Sequence, residues 1–211
     1  MKPGKRPDPY TAKAHAEGFP ARSVYKLEEI DRRCQLVKPG MRVLDLGAAP
    51  GSWSQWISKK VGPKGLVVAL DLNPLKVSAP NITAMEVDLF ATPPEALAAM
   101  GPFDLVVSDI APHTTGMKDV DAARSEELVA RVVEVADATL RKGGSLVAKV
   151  FQGAGFVALR DEMRARYELV RVLKPEASRK QSVEIYLVAQ RRKEDPPAPP
   201  PPPAQSPEPA A

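Results

Sequence analysis

Cysteine is nearly absent from this chain of 211 residues: Cys34 stands alone, which excludes an internal disulfide framework and a thiolate metal cluster. A lone thiol suits a reducing cytoplasm. Histidine is almost as scarce, and His15 and His113 lie far apart without cysteine or carboxylate ligands at usable spacing, so no metal is expected. No apolar run approaches the roughly 18 residues a membrane span needs. The opening stretch MKPGKRPDPY has no hydrophobic signal core, so a cytoplasmic protein is expected rather than a secreted or membrane-bound one.

What is present is an ordinary globular composition, 44% hydrophobic and 27% charged, with a net charge of +4. That charge is unevenly spread. Residues 1–42 carry +5, residues 43–140 carry −6, residues 141–193 carry +8 and residues 194–211 carry −3. Two basic stretches flanking an acidic middle suit one positive surface for a polyanion, although solvated helix faces produce the same pattern. The last segment, EDPPAPPPPPAQSPEPAA, holds nine of the 23 prolines and is expected to be an extended or disordered tail. One domain is therefore expected over residues 1–193, with a basic helical region at 1–40.

From Met41 onward short apolar runs alternate with helix-compatible stretches. Strands are predicted at Met41–Leu46, Leu66–Leu70, Ile82–Val87, Phe103–Ser108, Ser145–Phe151, Glu168–Leu173 and Val183–Ala189. Runs such as LVVAL and SLVAKVF suit strands covered on both faces. A helix is predicted over Ser125–Leu140, where Leu128, Val129, Val132, Val133, Ala136 and Leu140 form one stripe and Gly143–Gly144 supplies a stop. The alternation predicts an α/β fold with a mostly parallel, seven-stranded sheet. Ligands of such sheets bind beyond the carboxyl ends of the strands.

The first strand runs into Asp45-Leu46-Gly47-Ala48-Ala49-Pro50-Gly51-Ser52-Trp53-Ser54, a glycine-rich turn that lets a ligand approach the backbone. No Lys-Ser/Thr pair follows Gly51, which argues against a nucleoside triphosphate. Asp45 lies in that stretch, Asp71 ends the second strand at the place where an acid holds ribose hydroxyls, and Asp88 follows the third. Acids in those places also cap helices. Together on three consecutive strands they favour a nucleoside carrying positive charge, of which S-adenosylmethionine is the example.

Lys149 interrupts SLVAKVF, where burial demands a partner or a neutral amine. Asp109 ends LVVSD, Glu184 opens VEIYLVA, and Lys26 sits in the helical stretch SVYKLEEI. If strands four, five and seven are neighbours, Asp109, Lys149 and Glu184 meet above the carboxyl end, provided the last strand runs antiparallel.

These residues resemble the FtsJ/RrmJ-type RNA 2′-O-methyltransferases. The matching stretches are Asp8-Pro9-Tyr10, Arg22 through Leu27, Lys38-Pro39-Gly40, Asp45 through Trp53, Ser108 through Pro112, Lys149 through Gly153, Ser178-Arg179 and Glu184-Ile185-Tyr186. The resemblance implies a Rossmann-like methyltransferase fold with an antiparallel last strand. It implies S-adenosylmethionine contacts at Gly47, Gly51, Trp53, Asp71, Asp88 and Asp109, with Asp45 beside them, and a catalytic set of Lys26, Asp109, Lys149 and Glu184. Ser52 departs from the family, which usually has a second glycine there; the turn survives unless that residue needs positive φ. The implied substrate is the ribose 2′-hydroxyl of a uridine in 23S ribosomal RNA within the assembled large subunit.

On that reading Lys149 is the general base, oriented by Asp109, with Glu184 holding Lys149 or the ribose. Burial and a nearby Lys26 favour a neutral Lys149, while two carboxylates favour a charged one that steadies the developing alkoxide. RNA binding falls to the basic ends: Lys2, Lys5, Arg6, Lys13, Arg22, Arg32 and Arg33, with Arg179, Lys180, Arg171 and Lys174. A monomer is expected. The rivals are a transfer RNA 2′-O-methyltransferase, a non-catalytic RNA-binding assembly factor and a small-molecule methyltransferase. The intact Lys26, Asp109, Lys149 and Glu184 argue against the second, and the basic flanks and lack of a lid insertion against the third.

Overall fold

The apolar runs become strands β1 (Arg42–Leu46), β2 (Leu66–Asp71), β3 (Ile82–Glu86), β4 (Phe103–Ser108), β5 (Leu140–Phe151), β6 (Tyr167–Leu173) and β7 (Glu184–Arg192). The structure, a computed structural model, describes residues 8–179 and 182–194. Lys2, Lys5, Arg6 and Lys180 and the proline-rich residues 195–211 lie outside the described residues. Helices α1 (Pro9–Ala16) and α2 (Val24–Cys34) precede the sheet, and α3 (Ser52–Val61), α4 (Pro94–Ala98), α5 (Lys118–Thr139) and α6 (Phe156–Arg166) connect its strands. No helix among the described residues is long and apolar enough to cross a membrane.

Among the described residues the strands form one sheet in the order β3-β2-β1-β4-β5-β7-β6. The pairs from β3 through β5 are parallel, and β7 runs antiparallel between β5 and β6. Both conditions for bringing Asp109, Lys149 and Glu184 together are therefore met: β4, β5 and β7 are neighbours, and Glu184 enters β7 opposite Phe151 at the exit of β5.

Side chains alternate across the sheet with a period of two. Leu44, Leu70, Val106, Leu146, Ala148 and Leu187 face a core closed by α4, α5 and α6. Val43, Val67, Val107, Val147, Tyr186 and Val188 face a second core closed by α1, α2 and α3. This phase decides where the functional residues go. Lys149 is two residues beyond Val147 on β5, and it pairs in register with Tyr186 on β7. Asp45, Asp71 and Asp109 continue the phase of Val43, Val67 and Val107. All four charged groups therefore emerge on the face covered by α2 and α3.

The predicted helix Ser125–Leu140 is longer and ends one residue sooner. It begins at Lys118, because Asp119 and Asp121 occupy its first turn and suit the positive end of the helix dipole. It ends at Thr139, because Leu140 is already extended and pairs with Phe103. Gly143–Gly144 therefore lies inside β5 as an irregularity rather than at a helix stop.

Candidate active site

Two ion pairs and one tyrosine organise the carboxyl end of the central strands. Lys149 is held to the Asp109 carboxylate at 3.0 Å, and its Nζ also donates to the Asp109 main-chain carbonyl. Lys26, reaching over from α2, pairs with Glu184 at 2.7 Å. The Tyr186 hydroxyl donates to Asp109 Oδ1 at 2.5 Å, and Lys26 Nζ lies 5.8 Å from the centre of its ring. Lys26 and Lys149 are both buried. The four charged residues named from the sequence thus form one balanced cluster, two cations against two anions.

The electrostatics follow from that balance. Burial alone would raise the pKa of Glu184, but Lys26 by charge and hydrogen bond, then Ser178 and Lys149, hold it below the ordinary glutamate value. Tyr186 is driven the other way, by burial first and then by the charges of Asp109 and Glu184, so its hydroxyl stays a proton donor to Asp109. Tyr186 was not assigned a role from sequence. The signal was available: a phenol inside an otherwise aliphatic run has to find a polar partner when buried.

The glycine-rich turn sits beside this cluster. Gly47 and Gly51 have φ of +71° and +110°, and a Cβ on Gly51 would come within 2.4 Å of Val77. Glycine is required at Gly51 on both counts. Ser52 needs no such freedom: it is the first residue of α3, and its Oγ accepts the N–H of Ala21 at 2.7 Å. The departure at that position therefore leaves the turn intact and adds a tie to the N-terminal region.

Asp45 is buried on β1, within the strand predicted there, and its carboxylate accepts from Ser54 Oγ at 2.6 Å. Burial raises its pKa to about 7; the Ser54 hydrogen bond opposes that rise, while Asp109 and Asp71 add to it. Asp71 accepts the N–H of Ala49 at 2.9 Å and that of Asn73 at 2.8 Å, fixing the turn to the end of β2. Asp88 lies apart, in an exposed turn where it accepts the N–H of Phe90 at 2.8 Å. Trp53 is buried, donates from Nε1 to the Ser23 carbonyl at 2.8 Å and lies tilted against Tyr186 with ring centres 6.0 Å apart.

A recess at this point is lined by Asp45, Gly47, Trp53 and Asp109 together with Ser23, Ser52 and the Ala48–Pro50 segment. Its ionisable lining is acidic. Such a donor set fits a ligand carrying positive charge and does not fit a phosphate.

The basic residues named from sequence divide by engagement. Arg22 points inward, paired with Asp8 and donating to the Ala177 carbonyl at 2.5 Å. Arg33 pairs with Glu29 at 2.6 Å, and Glu29 also accepts the N–H of Glu176 at 2.7 Å, so α2 and the segment around Ala177 abut. Arg32 and Arg179 are exposed beside that junction. The two basic stretches of the sequence therefore meet in space.

The FtsJ-like methyltransferase family model matches residues 19–192, which takes in every element of this site. The chain belongs to the FtsJ-like methyltransferase family. Curated relatives agree over most of their length. A Sorangium cellulosum protein named ribosomal RNA large subunit methyltransferase E is 51% identical over 187 residues, covering 88% of each chain. A protein of the same name from Nitratidesulfovibrio vulgaris is 51% identical over 185 residues, 86% of this chain and 92% of that one. The crystal structure of a Plasmodium falciparum protein described as a candidate ribosomal RNA methyltransferase superposes with a TM-score of 0.73, covering 83% of this chain and all of that one at 24% identity. At that identity the likeness is one of fold. This methyltransferase thus presents a charged cluster and an acidic recess side by side at the carboxyl end of its sheet.

Proposed function

We propose that this methyltransferase transfers a methyl group from S-adenosylmethionine to the ribose 2′-hydroxyl of a uridine in 23S ribosomal RNA of the assembled large subunit. The observation that carries the reading is the Asp109–Lys149 pair, set beside the acidic recess and backed by Lys26–Glu184. The relatives' shared name supports the choice of RNA.

When bound, S-adenosylmethionine supplies an activated methyl group on a cationic sulfur. Asp109, Asp45 and the Gly47–Pro50 backbone line the recess that would hold it; Asp71 is bonded to the turn at Ala49, and the family resemblance adds Asp88. The chain's own task is to orient the ribose and take its proton. Two Asp109 oxygens occupy two of the three outward positions of Lys149 Nζ. In a neutral amine those positions are N–H groups, and the remaining lone pair accepts the 2′-hydroxyl proton. Lys26 and Glu184 neutralise each other and confine the ribose beside Lys149. The same ion pair also suits a charged Lys149 that steadies the developing alkoxide. A pH–rate profile of the chemical step separates the two roles: a rate that rises as Lys149 loses its proton supports the base, and a flat profile supports the charged form.

The substrate is tested by offering labelled S-adenosylmethionine together with large ribosomal subunits, naked ribosomal RNA or transfer RNA from a strain lacking the modification. Label in the large subunit is expected. Label in transfer RNA alone overturns the choice of RNA.

A further inference from the structure

Helix α5 lies beneath the exits of three strands and is bonded to each of them. After β3, Arg131 donates to the carbonyls of Leu89 and Thr92 at 2.7 and 2.5 Å, closing the turn that carries Asp88. After β4, Asp121 accepts from the N–H groups of Thr115 and Gly116 at 2.7 and 3.1 Å, fixing the loop that follows Asp109. At the end of β5, Ser125 Oγ accepts the N–H of Phe151 at 2.9 Å, and beyond it Glu126 accepts that of Gly155 at 3.0 Å.

The β5 exit is shaped around Glu126. A Cβ on Gly155 would lie 2.3 Å from Glu126 Oε2, and one on Gly153 would lie 2.6 Å from the Ala122 side chain. Glycine at these two places lets the chain wrap the carboxylate closely. Phe151 is two residues past Lys149 on the same strand, about 7 Å of extended chain. Displacement of the exit is therefore transmitted to Lys149 with little slack.

These polar contacts are not needed to attach the helix. Val129, Val132, Val133 and Ala136 already bury it against the sheet. We propose that α5 is the positioning element of the site: Ser125 and Glu126 act through Lys149, and Arg131 acts through the Asp88 turn. This rests on the function proposed above. It predicts two different kinetic defects from one helix, because Lys149 is proposed for the chemical step and the family resemblance puts Asp88 at the methyl donor.

The test is kinetics of the full chain with S-adenosylmethionine and unmodified large subunits, run beside thermal melts. Glu126→Ala is expected to lower kcat about tenfold or more, the effect of misplacing a reacting group. Glu126→Gln, which keeps an acceptor oxygen for Gly155, is expected to recover most of that loss. Arg131→Ala is expected to raise KM for the methyl donor severalfold. The proposal is overturned if an active parent is matched by its variants, or if the variants lose only the activity their unfolded fraction accounts for. A parent that methylates no RNA overturns the function and this inference together.

Discussion

Asp109 holds Lys149 twice, through its side chain at 3.0 Å and through its own main-chain carbonyl. Because one residue supplies both acceptors, the direction of the lysine amine is set by the backbone at the exit of β4 and not by a mobile side chain alone. Lys149→Met should abolish this arrangement while keeping most of the apolar stem. General-base assistance contributes roughly 10²–10⁴-fold, and single-turnover methyl transfer is expected to fall by about that factor. Binding of S-adenosylmethionine, followed by calorimetry, should persist, since the recess keeps its lining.

Asp45 makes stability depend on pH in a defined direction. Its folded pKa of about 7 lies above the ordinary value of 3.8, so the folded state binds the proton more tightly than the unfolded chain. The parent's stability contribution from this group is full at low pH and declines as pH rises from about 4 to about 7. Asp45→Asn removes that dependence and keeps an acceptor for Ser54. Denaturation midpoints measured across this window should show the variant gaining on the parent as pH rises, with the difference between them becoming constant above about pH 7.

Glu184 has the opposite sign. Its folded pKa is depressed below 4.5, so its stabilising effect is present at neutral pH and is lost as pH falls through the folded value. Glu184→Gln should be less stable than the parent at pH 7, because Lys26 loses its partner. The gap should close below pH 4.5. A gap that stays constant down to acid pH would show that the Lys26–Glu184 pair contributes nothing through charge.

The exposed arginines beside the α2 junction bear on RNA affinity. Reversing charge at Arg32 and Arg33 should weaken binding to ribosomal RNA and lower the slope of log affinity against log salt by about 2. Affinity for S-adenosylmethionine should be unchanged. Equal loss of both affinities would contradict a division between an RNA surface and a cofactor recess.

Much of this was legible in the residues. The strands announced themselves as apolar runs, and charges placed where a strand should bury them, Lys149 above all, pointed to the site. The order in which the strands pair was not legible, because nothing local in β7 states that it lies between β5 and β6. The start of α5 carries no apolar stripe: its first turns are polar, with Asp121 bonded to the adjoining Thr115 and Gly116 and with Ser125 and Glu126 bonded to the distant Phe151 and Gly155. Asp45 falls inside the predicted first strand, which leaves its surroundings open. Only the strand register reveals it as a buried carboxyl, level with Ala69 and Val107 and answered by Ser54.

In the proposed reaction the Asp109-held lysine serves transfer to a ribose oxygen. The most direct measurement is to label unmodified large subunits with S-adenosylmethionine, digest the 23S ribosomal RNA to nucleosides and identify the methylated product by mass spectrometry, with Lys149→Met run in parallel. The parent is expected to give 2′-O-methyluridine, in an alkali-resistant linkage, and the variant a rate reduced by roughly 10²–10⁴-fold. A methyl group on a base, or equal labelling by the Lys149→Met protein, would contradict it.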